Sequence, residues 1–286
     1  MKLAGAPISW GVCEVPDWGL QLAPDRVLGD MRALDLHATE AGPPGFLPAD
    51  PAPTRALLDS FGLRLIGGFV TAVLHEKSRR ADELASVTRQ AKWLAAGGSE
   101  FMVLAPALPG TGYSGAQELS GDAWRQLFEG IDDAWEIASA YGLAVAVHPH
   151  WGTAIERPRH IERFLEATTH ALCLDTGHIA LGGADPLEVA RQAGPRVRHV
   201  HLKDVDGPLA ARVRDGSLSY NDAVRAGLYR PLGDGVARIE DVLRELRAAR
   251  YAGWYVLEQD VMLDREPTPG PPERIKRSVA YARTHG

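Results

Sequence analysis

Four short segments of this chain end in residues able to bind a cation or move a proton. They read VAVHPHWGT (145–153), LCLDTGH (172–178), VRHVHLKD (197–204) and WYVLEQD (254–260). In each, an apolar run closes on imidazole or carboxylate: His148 and His150, Asp175 and His178, His199 and His201 with Lys203 and Asp204, then Glu258, Gln259 and Asp260. Imidazole nitrogen and carboxylate oxygen together suit borderline divalent ions such as Mn, Co, Zn or Fe. One ligand from each segment gives an expected metal set of His148, Asp175, His201 and Glu258, with the choice between His148 and His150 open. Any one of these residues alone is an ordinary loop residue; four at equivalent places argue for one shared ion. Lys203, His150, His178 and Glu258 are the candidate proton carriers, because a nearby cation and burial can tune them towards neutral pH.

Residues on separate segments meet only if the segments are parallel and end at a common mouth. Along the chain, short apolar runs at 3–9, 37–40, 63–69, 101–105, 143–148, 171–175, 197–202 and 254–258 alternate with stretches whose apolar residues recur at helical spacing. Those helices are expected at 24–34, 53–61, 81–96, 122–141, 158–168, 186–193, 239–250 and 273–284. Gly after a helix and Pro in a first turn mark several of the junctions. Eight strand–helix units predict an α/β fold, a single (β/α)8 TIM barrel over 1–286, whose active residues sit at the C-terminal ends of its strands. A doubly wound open sheet is the alternative, weakened because no GxGxxG follows the first strand.

Two connections exceed the usual loop of about 4–6 residues. AGPPGFLPADPAP (41–53) is stiffened by proline and reads as a rim. Residues 203–237 read as an insertion after strand seven, with a short helical pattern near 220–226. Trp10, Trp151 and Phe69 near strand ends are candidates for an apolar floor, and Glu14 and Glu40 for contacts to substrate hydroxyls.

Composition narrows the partners. The chain has 286 residues, 45% hydrophobic and 24% charged, with a net charge of -6. That balance suits a folded protein with a large core and offers no basic footprint for nucleic acid. Cys13 and Cys173 are too few for a disulfide framework. No apolar leader opens MKLAGAPISWG and no membrane-length apolar run appears, so an unanchored, cytoplasmic protein is expected. A homo-oligomer is compatible with the sequence.

LDTGH, HLKD and GWYVLE resemble the metal-ligand strand ends of the xylose-isomerase-like TIM barrel superfamily, the sugar phosphate isomerases and epimerases. The resemblance spans nearly the whole chain. APISWGVCEVPDWG, ATEAGPPGFLP, HPHWGT, PLGDG and EQD look most like the inosose (2-keto-myo-inositol) dehydratase branch. This implies a metal-dependent lyase acting on a sugar or cyclic polyol ketone through an enolate, with sugar isomerase or epimerase as the alternative and a non-catalytic sugar-binding barrel behind it. Many epimerases of the superfamily carry glutamate where this chain has His148, so the paired-glutamate proton transfer of those enzymes is put in doubt. His150, His178 and Trp151 then become substrate contacts together with Trp10, Glu14 and Glu40.

Overall fold

Apolar runs bounded by Gly, Pro or acidic residues become strands buried on both faces, as a parallel sheet covered by helices requires. In the computed structural model, which describes residues 1–110 and 118–286, they are β1 (Lys2–Gly5), β2 (Ala38–Glu40), β3 (Arg64–Gly67), β4 (Phe69–Ala72), β5 (Phe101–Pro106), β6 (Ala144–Val147), β7 (Ala171–Asp175) and β8 (Val197–Leu202). A short antiparallel pair, β9 (Asp204–Val205) and β10 (Tyr229–Arg230), precedes β11 (Trp254–Leu257). The main sheet runs β3-β2-β1-β11-β8-β7-β6-β5-β4, parallel at each pairing. β3 and β4 are one rung broken at Gly68, where a Cβ would come 2.6 Å from the Leu94 side chain. Counted once, that rung joins the two ends of the sheet and gives an eight-rung (β/α)8 barrel, as expected.

Around it stand α1 (Pro24–Ala33), α2 (Pro51–Ser60), α3 (Arg80–Gly97), α4 (Gly121–Ala140), α5 (Pro158–Ala167), α6 (Thr176–Gly182), α7 (Pro186–Ala193), α8 (Gly207–Arg214), α9 (Tyr220–Arg225), α10 (Ile239–Ala248) and α11 (Glu273–His285). Proline in the first turn starts α1, α2, α5 and α7, where its missing N–H costs nothing. α4 lays Trp124, Leu127, Ile131, Ala134 and Ala138 on the barrel, and α10 lays Ile239, Val242, Leu243 and Leu246. These spacings are those of one buried helical face. α3 stops at Gly98, whose φ of 91° a side chain would strain.

The structure departs from the sequence expectation in three places. The first strand ends at Gly5 rather than at 9, because Pro7 opens a 3-10 turn, Pro7–Trp10, closed by Gly11 at φ 82°. LDTGH turns directly from β7 into α6, Asp175 being both the last strand residue and the helix cap that accepts from the His178 N–H. Residues 203–237 hold β9, α8, α9 and β10, more structure than the single helical pattern foresaw. Both cysteines are free, and among the described residues no helix is long and apolar enough to cross a membrane.

Candidate active site

Parallel pairing sets neighbouring strand ends level with each other. Asp175 pairs with His201 across β7 and β8, the His148 N–H continues the ladder to the Leu104 carbonyl, and the Glu258 N–H continues it to Leu202. The four expected ligands therefore share one end of the barrel. His148 Nε2 lies 3.2 Å from Asp175 Oδ2, and His201 Nδ1 lies 3.4 Å from both Asp175 Oδ2 and Glu258 Oε2. Donor atoms of Asp175, His201 and Glu258 all fall within 4.8 Å of one another.

These residues fit a divalent ion. Bonds of about 2.0–2.2 Å to one ion put its ligand atoms roughly 3.0–3.5 Å apart, which is the spacing of the His148–Asp175, His201–Asp175 and His201–Glu258 pairs. His201 Nδ1, 3.4 Å from the Asp175 and Glu258 carboxylates, is buried and makes no hydrogen bond, a costly state for a polar atom that faces no cation. The pocket also draws positive charge: burial opposes a proton on His201, yet Cys173, Glu258 and Glu40 around it push its pKa well above the imidazole range.

Lys203 stands beside this cluster, 2% exposed. Its Nζ reaches Glu258 Oε2 at 2.7 Å, Asp260 Oδ1 at 2.8 Å and His178 Nε2 at 3.1 Å. Burial alone would discharge it, but Asp260, Glu258 and Asp175 outweigh burial and hold it as an ammonium. The rings of His150 and His178 lie against each other, centroids 3.7 Å apart and planes tilted by 35°. Burial drives both below the usual imidazole range, helped at His150 by His148 and Lys203 and at His178 by His150 and Lys203. The His150 Nδ1–H donates to the Trp151 carbonyl at 2.7 Å, which leaves the lone pair on Nε2.

A cavity of about 520 Å³ opens over these groups, lined among others by Glu14, Trp18, Phe69, His148, His150, Lys203, Glu258 and Asp260. Glu14 is exposed at its rim. Three expected contacts are not on its wall: His178 is buried behind Lys203, and Trp10 and Trp151 lie elsewhere. Trp10 is fully buried and donates its indole N–H to Asp30 of α1 at 3.2 Å, so it is a core residue. Trp151 is buried under the Arg157 guanidinium, 4.9 Å from its ring, and reaches the site only through its backbone. Trp18 takes the aromatic place instead, with its N–H on the Val261 carbonyl at 2.8 Å. Glu40 lines the cavity too, but its Oε1 is spent on His199 Nε2 at 2.7 Å and His201 Nε2 at 3.1 Å.

Sequence reasoning gave Asp260, Tyr229 and Tyr220 no role. Asp260 accepts from the Tyr220 hydroxyl at 3.0 Å, and the Tyr229 ring covers the Lys203 ammonium at 4.9 Å. Both tyrosines come from the 203–237 connection, whose sequence carries no strand-end pattern to mark them. Asp204, inside the HLKD motif, points away from the chemistry. Its carboxylate accepts from the backbone N–H of Val205, Gly233, Gly235 and Ala237 at 2.9–3.0 Å and so ties PLGDG to the barrel.

The sequence pattern of xylose isomerase-like TIM barrels matches residues 30–285. Inosose dehydratase of Geobacillus kaustophilus (strain HTA426) is 30% identical over 272 residues, covering 91% of this chain and 87% of that protein. Rhizopine catabolism protein MocC of Rhizobium meliloti is 30% identical over 269 residues, covering 91% and 82%. The solved structure of a D-allulose 3-epimerase from Methylomonas sp. in complex with D-allulose is similar at a TM-score of 0.70 and 14% identity, covering 100% of this chain and 97% of the other, a likeness of fold.

Proposed function

The chain belongs to the xylose isomerase-like TIM barrel family, and we propose that it is a divalent-metal-dependent dehydratase removing water from a keto-polyol of the 2-keto-myo-inositol kind. What carries this reading is the meeting of His148, Asp175, His201 and Glu258 at one barrel mouth beside a buried lysine. The substrate class is supported by the inosose dehydratase relatives. A bound Mn, Co, Zn or Fe ion supplies polarisation of the ketone oxygen and offsets the negative charge that gathers there as the α-proton leaves.

The chain's own residues divide the remaining work. His150, neutral and with its Nε2 lone pair set by the Trp151 carbonyl, accepts the α-proton. Lys203, held as an ammonium, donates a proton to the departing β-hydroxyl, so that the carbon–oxygen bond breaks with release of water. His178 accepts a hydrogen bond from Lys203 and holds the ammonium at the wall. Glu14 at the rim accepts from substrate hydroxyls, and Phe69 and Trp18 give the ring an apolar surface.

Incubation of the purified protein with 2-keto-myo-inositol and Mn or Co tests the reading. The expected product is lighter by one water and absorbs as an enolic dione. A product of unchanged mass replaces the dehydratase with an isomerase or epimerase, and absence of turnover rejects the substrate class.

A further inference from the structure

Below the proposed cation site, one carboxylate oxygen is claimed by two imidazoles. Glu40 Oε1, at the end of β2, sits 2.7 Å from His199 Nε2 and 3.1 Å from His201 Nε2. An ionised carboxylate only accepts, so each contact requires the proton on that histidine's Nε2. When His201 yields its other proton to a cation, the lone pair is then on Nδ1, the atom 3.4 Å from the Asp175 and Glu258 carboxylates that bonds to neither. We propose that Glu40 is a positioning residue that fixes His201 with Nδ1 facing the cation, and that His199 in turn fixes Glu40 through the same oxygen. The proposal rests on the metal-dependent reading above.

The surroundings are built for this arrangement. His199 and His201 are two apart on β8 and so point to the same face. His199 is fully buried, with its ring 5.2 Å from that of Phe101. Gly67, paired with Glu40 across β2 and β3, leaves the carboxylate its space, since a Cβ there would lie 3.2 Å from Oε1. The competing geometry is a second ion among Glu40, His199 and His201, whose donor atoms also lie within 4.8 Å. It would make His201 bridge two ions and give up the proton that a neutral ring keeps. The observed separations are those of ordinary hydrogen bonds.

Titration of metal-free protein with Co, followed by calorimetry and visible absorption, decides between them. The parent protein should take one ion. Glu40→Gln, which keeps the shape and one accepting oxygen but loses the charge, should still take one, bound roughly 10–100-fold more weakly and with a shifted Co band. Its far-ultraviolet dichroism should match the parent. His199→Phe should show the same two changes to a smaller degree, and decides the matter alone if Glu40→Gln fails to fold. Unchanged affinity and spectrum overturn the positioning role. Two ions in the parent and one in Glu40→Gln make Glu40 a ligand and overturn it differently. A parent that takes up no ion rejects the metal-dependent function itself, and this proposal with it.

Discussion

His160 shows how one ring nitrogen can link pH to the shape of the site. It opens α5, and its Nδ1 accepts from the backbone N–H of Glu156 at 3.4 Å and Arg157 at 3.3 Å, closing the loop that begins at His148. Burial lowers its pKa to about 4, with Arg159, Arg157 and Arg163 adding to the effect. The folded value lies below the unfolded one near 6.5, so this contribution to stability is complete above pH ~6.5 and lost as pH falls towards 4. His160→Gln keeps an accepting atom without the titration. Urea midpoints compared between pH 7 and pH 4 should fall less in the variant, the difference reaching at most about 1.4 kcal/mol per pH unit. Equal falls in both proteins reject the assignment. At this scale the places of His148, Asp175, His201 and Glu258 at one end of the barrel were legible because each ends an apolar run. Trp10 and Trp151 misled, because an aromatic beside a strand end looks the same whether it faces the cavity or the core.

Among the elements, the connection from β8 to α10 contributes most that the pattern concealed. It places Tyr229 on Lys203 and Tyr220 on Asp260, while the Gln259 side chain donates to the Tyr229 carbonyl at 3.1 Å. Asp204 holds the return of this segment by four backbone N–H groups. Asp204→Ala strands those donors, and a loss of about 3 kcal/mol or more is expected. In a chain of this size that lowers Tm by roughly 6–12 °C. Turnover should suffer as well, because the wall above Lys203 loosens. A thermal scan showing a shift under about 2 °C would remove Asp204 from this role. The helices were legible almost residue for residue, since proline and glycine punctuate them. α6 and α8 were not: the start of α6 coincides with a strand residue and its length is below what periodicity resolves, and α8 lies in the connection where only one helical pattern shows.

Across the whole molecule, the proposed ion joins strands distant in sequence, β6, β7, β8 and β11, and so couples its own binding to the closed barrel. A ligand that binds the folded state alone adds about 4 kcal/mol at a thousand times its Kd. Treatment with a chelator should therefore lower Tm by roughly 8 °C or more, and Mn or Co should restore it. A midpoint indifferent to chelator rejects metal linkage to the fold. The sequence by itself determined the alternation of eight strands and their helices, and the acidic and imidazole residues that end the later strands, because apolar period and turn chemistry are local properties. Only the tertiary structure decided that Glu40 stands behind His201, that Trp18 rather than Trp10 faces the cavity, and that Asp204 serves the fold. Those outcomes depend on strand register and on which side chain reaches which partner across the barrel, and no neighbour in sequence carries that information.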